Sequence, residues 1–416
     1  MFKDKIESAL NYAVTFLKWG FIAGCTGLLG GVVGTLFHKS VEFATVFRTG
    51  HEWIIWFLPA GGVVILSLYK LCRIAENTGT NEVISSVRSD EKVPPALAPL
   101  IFISTVITHL FGGSAGREGA ALQLGGSIGS VIGRIFRLDE KDMHIITLCG
   151  MSSVFAALFG TPLTAAFFAL EVISVGVIYY SGLVPCIISS LVAFKVSLYF
   201  GVKPISFSYV NVPEISLSVL AKTIGLAVIC AVVSIVFCMT MKQTRAFMKR
   251  IFKNEFVRIM AGGLAISALT FLLQTRDYNG AGMNIITDAI SGSARPEAFL
   301  LKIIFTAITI GAGYKGGEIV PTFFIGATLG CVAGGLLGIG AGFGAAIGLV
   351  ALFCSVVNCP IASIILSIET FGADGLILFA ITCAISYMLS GYYGLYSTQK
   401  IMYSKLRAEY ININAK

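Results

Sequence analysis

Charge is what this chain has least of. Only 12% of its residues are Asp, Glu, Lys or Arg, against about a quarter in soluble domains, and so little charge cannot clothe a water-facing surface. The 10 cysteines form no CxxC pair and no His/Cys cluster, so neither a zinc site nor a disulfide framework is indicated. Scattered through apolar stretches, they read as small buried apolar residues. The opening MFKDKIESALNYAV lacks the basic start, short apolar run and small-residue cleavage site of a secretory signal. The first helix is therefore expected to stay in the mature protein. No soluble C-terminal domain is expected after about Tyr410.

What is present is hydrophobicity: 56% of residues are apolar and the mean hydropathy is +0.85. Apolar stretches cover about 8–36, 53–72, 96–111, 143–180, 182–201, 215–240, 256–274, 297–311, 319–357 and 359–392. A bilayer core takes roughly 20 apolar residues per helix; several stretches fit, and others are shorter or broken by glycine. The net charge of +8 reads as topology rather than as affinity for nucleic acid. Segment 241–258 holds Lys242, Arg245, Lys249, Arg250, Lys253 and Arg258 against the single acid Glu255, the excess that marks a cytoplasmic loop. Segment 37–52, with Lys39 and Arg48 balanced by Glu42 and Glu52, reads as an outside loop.

The chain also repeats itself at a spacing near 200 residues. Gly79-Thr80-Asn81 faces Gly282-Met283-Asn284 at an offset of 203; GGSAGREG (112–119) faces AGYKGGEI (312–319) at 200, which sets Glu118 opposite Glu318; and GTPLTAAFFALE (160–171) faces NCPIASIILSIE (358–369) at 198, which sets Pro162 opposite Pro360 and Glu171 opposite Glu369. Three agreements in one order predict two homologous halves, 1–205 and 206–400, followed by a short cytoplasmic tail, 401–416. The first long helix is followed by the balanced loop and its partner by the basic one, so the halves are expected to be inverted. Inverted repeats with broken helices place a substrate site at their interface near the membrane midplane.

Each repeated motif is a glycine-rich break before an apolar run. A break within a membrane is tolerated where it lines a cavity, and a helix starting there aims free N–H groups and its positive dipole end at that cavity, which suits an anion. Such starts follow GTNEV, GREG, GMNII and GGEIVP. Runs such as GLLGGVVG (27–34) and GGLLGIGAGFGAAIG (334–348) read equally well as close helix packing. Glu118 and Glu318 sit inside the breaks, where an ionisable group is costly and usually functional. A carboxylate at a helix start can occupy an anion site itself and leave it on protonation, which links anion and proton movement through one residue. The plainer alternatives are pairing of Glu118 with Arg117 and of Glu318 with Lys315. Gly112-x-Ser114-x-Gly116 matches the GxSxG pattern of hydrolases, with His109 nearby. That pattern needs a strand–turn–helix setting, and here the flanks are membrane helix.

These residues together resemble the CLC family of chloride channels and anion/proton antiporters, over nearly the whole chain. GREGA (116–120) is similar to the signature whose glutamate is the external gate, which carries onto Glu118. GGEIVPTFFIGA (316–327) is similar to the GGxFxPxLxxGA signature, GTPLTAAFFALE to the proline-bearing helix ending in acids, and GLYSTQ (394–399) to the segment whose tyrosine lines the central anion site, which carries onto Tyr396. The resemblance implies an all-α integral membrane fold of tilted and broken helices in an inverted repeat. It also implies a homodimer with one pore per subunit, without the CBS domains of many eukaryotic members.

Departures from the chloride pattern point to one branch. Chloride members have GSGIP where this chain has Gly79-Thr80-Asn81-Glu82-Val83, and the fluoride/proton antiporters carry an asparagine-bearing GNNLI-like sequence there; Glu82 has no place in either. Val172 stands where chloride/proton exchangers carry an internal proton-transfer glutamate. Glu318 matches the GGE of the fluoride branch. The implied activity is export of cytoplasmic fluoride in exchange for proton entry across a bacterial plasma membrane, with fluoride, protons and lipid as partners and no cofactor. Thr80, Asn81 and Tyr396 are expected to bind the anion as compact donors, with Met283 and Asn284 as possible counterparts in the second half, Glu118 as the gate and Glu318 in proton transfer. A chloride/proton antiporter or passive anion channel of the same fold is the alternative, and an intramembrane hydrolase a distant third.

Overall fold

The computed structural model describes residues 2–76, 78–89, 93–207 and 212–416. Up to residue 199 the helices are α1 (Phe2–Gly50), α2 (Leu58–Leu71), α3 (Thr80–Ser86), α4 (Leu97–Leu110), α5 (Glu118–Ile135), α6 (Glu140–Phe159), α7 (Pro162–Glu171) and α8 (Leu183–Tyr199). Then follow α9 (Leu217–Ile251), α10 (Glu255–Leu273), α11 (Met283–Ile290), α12 (Ala298–Ala312), α13 (Ile319–Leu337), α14 (Ala341–Val357), α15 (Pro360–Phe371) and α16 (Leu376–Leu389). Among the described residues, seven helical segments are long and apolar enough to cross a bilayer. The outer faces of α1 and α9 expose Phe16, Phe21, Leu28, Val32, Val228 and Val232, an apolar surface suited to lipid rather than water.

Two helix ends differ from the sequence reading. The first helix does not stop near 36 but runs to Gly50, and α9 runs past 240 to Ile251. Lys39, Glu42, Lys242 and Lys249 are helix-compatible residues, so the change in charge marks the edge of the apolar layer rather than the end of the helix. The outside loop expected at 37–52 is therefore the last turns of α1. The basic run likewise lies mostly on α9 and the start of α10.

The all-α expectation also misses a small sheet. β1 (Ser174–Val175), just after α7, pairs in parallel with β2 (Lys400–Tyr403), which pairs antiparallel with β3 (Tyr410–Asn414). Ile401 is fully buried there. Alternation in YININ was its one sequence signal.

Glycine sets the closest crossings. A Cβ on Gly125 of α5 would lie 2.2 Å from the Gly150 carbonyl oxygen of α6, and one on Gly326 of α13 would lie 2.4 Å from that of Gly348 on α14. The GLLGGVVG run meets Ser153, Ala157 and Ser189 in the same way, so packing accounts for both runs.

The proline helices lock each other. Pro162 and Pro360 open α7 and α15 at positions where no N–H is needed. Glu171, ending α7, accepts from Ile361 N at 3.2 Å and Ala362 N at 2.9 Å; Glu369, near the end of α15, accepts from Leu163 N at 2.9 Å and Thr164 N at 2.8 Å. Each glutamate caps the start of the other helix.

Candidate functional site

The two glycine breaks meet head to head. Gly116 and Gly317 exchange backbone hydrogen bonds of 2.7 Å in both directions, and a Cβ on Gly317 would lie 2.3 Å from Gly119 N. Only glycine allows this approach, and it brings the starts of α5 and α13 together deep in the protein. Glu118 is the first helical residue of α5 and is fully buried. Its Oε2 accepts from the Arg117 amide at 2.8 Å, and the Val320 amide at the start of α13 also faces this carboxylate. Arg117 Nε stands 3.5 Å from Oε1, yet Oε1 has no hydrogen-bond partner among the described residues.

Glu318 occupies a different helical position. It is the N-cap of α13, where Arg117 is the N-cap of α5. The helix starts and the Gly116–Gly317 bridge therefore align the halves at an offset one larger than the sequence match. Glu118 corresponds to Ile319, and Glu318 to Arg117, so the two acids are not at equivalent positions. The insertion-free match at 200 had been drawn by the shared glutamate, whereas backbone geometry obeys the glycines. The expected alternative partner of Glu318 does not hold it either: Lys315 Nζ donates to the Glu76 carbonyl and lies over the Tyr69 ring.

Glu318 lines a cavity of ≈370 Å³ with Thr80, Asn81, Gln123, Arg245 and Tyr396. The cavity is also lined by Glu76, between α2 and α3, and by Lys242 and Lys249 on the basic end of α9, the side that positive residues assign to the cytoplasm. Tyr396 is buried, its hydroxyl has no hydrogen-bond partner among the described residues, and it stands within electrostatic reach of both Glu118 and Glu318. Its segment is held by α3: Asn81 Oδ1 accepts from Thr398 N at 3.2 Å and Thr398 Oγ1 at 3.1 Å. Asn81 itself lines the cavity, and with its oxygen so occupied the NH₂ is its remaining side-chain donor.

Three expectations change. Thr80 borders the cavity, but its hydroxyl donates to Gly119 O at 3.2 Å and accepts from Gln123 Nε2 at 3.0 Å, so its one proton is committed to the backbone rather than to an anion. Met283 and Asn284, at the start of α11, are not among the residues lining this cavity. Met283 borders a separate apolar pocket with Phe159 and Phe323, and Asn284 is exposed. Sequence correspondence put them at the start of a matching helix, but that helix opens elsewhere. Glu82 finds its explanation here: Oε2 accepts from Gly79 N at 2.7 Å, a capping contact at the start of α3.

Sequence reasoning missed Gln123, whose signal was a lone amide on a small-residue membrane helix. It also missed Gln399, which donates to Val172 O at 3.0 Å and Val357 O at 2.8 Å. Ser114 bonds to Thr306 Oγ1 at 3.1 Å and His109 to Thr105 O at 2.9 Å, so the hydrolase pattern has no nucleophile–base pair.

A multi-pass membrane protein with a polar cavity ending at buried helix starts belongs with proteins that handle ions. Residues 60–391 match the family described as voltage gated chloride channel, and the chain belongs to that family, the CLC proteins. It is 35% identical to a chloride/fluoride channel protein of Pseudomonas syringae pv. tomato, over 97% of this chain and 91% of that one. A crystal structure of a CLC-type fluoride/proton antiporter superposes with a TM-score of 0.89 at 34% identity, covering 92% of this chain and 98% of that one. A slow cyanobacterial Cl⁻/H⁺ antiporter shares the fold, with a TM-score of 0.76 at 19% identity, over 89% of this chain and 94% of that one.

Proposed function

We propose that this chain exports cytoplasmic fluoride in exchange for inward protons, as a homodimer with one pathway per subunit in a bacterial plasma membrane. The observation that carries the reading is Tyr396 Oη, buried without a hydrogen-bond partner among the described residues and within electrostatic reach of Glu118 and Glu318 at the joined helix starts. Buried polar groups are satisfied in native proteins, and a small anion beside Tyr396 is the partner that the hydroxyl lacks. Likeness to a CLC-type fluoride/proton antiporter supports the choice of ion.

Fluoride enters past Lys242 and Lys249, whose charge raises its local concentration. It exchanges water for the Tyr396 hydroxyl, the Asn81 NH₂ and helix-start amides. Protonation of Glu118 releases its grip on the Arg117 amide, and the anion takes the vacated donors. Glu318, lining the inner cavity, passes the proton on toward the cytoplasm in place of a glutamate at Val172.

The test is efflux from proteoliposomes loaded with fluoride or chloride, with external pH recorded. Fluoride efflux with proportionate proton uptake and little chloride efflux is the expected result. Chloride efflux at a similar rate would favour a general CLC transporter, and efflux of either ion without proton uptake would favour a passive channel.

A further inference from the structure

We infer that Gln123 is a two-way station of the cavity, presenting a donor to fluoride and an acceptor to the proton path by turning its amide. The inference rests on the antiport reading above and names a residue that neither the motifs nor the gate supplies.

A cavity that serves both ions faces a conflict. Fluoride accepts hydrogen bonds and needs donors, whereas a protonated carboxyl or a proton-carrying water needs acceptors. Tyr396 and the Asn81 NH₂ meet the first need. Gln123 meets both, because a carboxamide carries an acceptor oxygen and a donor NH₂ at the two ends of nearly one shape.

Its setting makes both orientations available. Gln123 lies on α5 one turn beyond Gly119, is 4% exposed and lines the cavity with Glu318 and Tyr396. Nε2 donates to Thr80 Oγ1 at 3.0 Å, and Oε1 is buried with no partner among the described residues. A Cβ added to Gly119 would lie 3.2 Å from Glu318 Oε2 and 3.5 Å from Thr80 Oγ1, so the carboxylate and the hydroxyl both approach this one glycine. In this arrangement Thr80 gives its proton to Gly119 O, and Gln123 offers its oxygen, which suits protonated Glu318 or a bridging water. Turned over, Gln123 accepts the Thr80 proton through Oε1 and offers its NH₂ instead, which suits fluoride. The Thr80 hydroxyl serves both states because it can donate or accept, and Ser or Thr is what this role requires.

Three variants in proteoliposomes test this, read as half-saturating fluoride, maximal rate and proton uptake. Gln123→Leu removes both functions and should lower the coupled rate at least about tenfold. Gln123→Glu keeps shape and acceptor but loses the donor while ionised. Its half-saturating fluoride should rise about tenfold, and this excess over the unsubstituted protein should shrink as the inner pH falls and the carboxyl regains a proton to donate. Gln123→His, with donor and acceptor in one ring, should restore most of the rate lost in Gln123→Leu. Unchanged half-saturation in Gln123→Glu would overturn the inference even if Gln123→Leu failed to fold, and so would a normal coupled rate in Gln123→Leu. Absence of fluoride–proton exchange in the unsubstituted protein would instead refute the antiport reading itself.

Discussion

Two acids stand at the starts of two helices that meet at a single backbone bridge, and they are one residue out of step. Glu118 is the first residue inside α5, whereas Glu318 sits just outside α13 as its N-cap. One position turns a side chain by about 100° around a helix. Glu118 accordingly folds onto the Arg117 and Val320 amides, while Glu318 borders the inner cavity. A repeat alone would have given two identical gates; the shift gives one carboxylate among the helix amides and one beside the vestibule. The difference separates a group that can trade places with an anion from one that can meet water.

The largest effect should come from Glu118→Gln, which keeps size but cannot bind and release a proton. Proton uptake accompanying fluoride efflux should fall at least about 100-fold, and retained uptake would remove Glu118 from the proton path. Glu318→Ala should slow coupled exchange by about tenfold without abolishing fluoride binding, measured as heat of fluoride titration. Equal losses of binding in both variants would mean that the one-residue offset carries no division of labour.

The second pair of acids is in step and differs in exposure. Glu171 and Glu369 occupy matching places on α7 and α15 and cap each other's helices, but Glu171 is buried and Glu369 is half-buried. Alanine at Glu171 strands the buried Ala362 amide and the part-buried Ile361 amide and should destabilise the protein by about 1–3 kcal/mol, seen as a lower melting temperature in detergent. Alanine at Glu369 lets water reach the amides of α7 and should cost less. The reverse order would show that exposure does not govern these caps.

Much of this was legible before any coordinates. Offsets of 203 and 198 matched helix starts correctly, because Gly79 with Gly282 and Pro162 with Pro360 are backbone requirements that sequence displays directly. The offset of 200 failed by one residue because it was anchored on a side chain, Glu118 against Glu318, in a stretch where either register left glycines facing glycines. The cavity was foreseen through Asn81, Tyr396 and Glu318. Its hydrogen-bond accounts were not: whether the Thr80 proton is free depends on the Gly119 carbonyl and the Gln123 amide, neither of which a motif records. Met283 and Asn284 were lost for a related reason. Matching helix starts in two halves need not face one cavity, and theirs opens beside Phe159 and Phe323.

The smallest expected effect lies in the C-terminal ribbon. Lys405, between β2 and β3, donates to Asn358 Oδ1 at 2.6 Å, Tyr387 O at 2.9 Å and Ser390 Oγ at 3.1 Å. Asn358 in turn donates to Gln399 Oε1 at 3.1 Å, so the lysine braces the segment that carries Tyr396. Burial lowers its pKa to about 7, against about 10.4 for a free lysine. Between those values the unfolded chain binds more protons than the folded one, so stability rises with pH across that window and the rise is complete near the upper value. Lys405→Met should flatten this part of the profile of melting temperature against pH, whereas Lys18→Met, at an exposed amine paired with Asp142 on α6, should leave it in place. A slope that persists between pH 7 and 10 in Lys405→Met would mean that the ribbon is held by its strands and Gln399 alone, with the lysine carrying its charge at no cost to the fold.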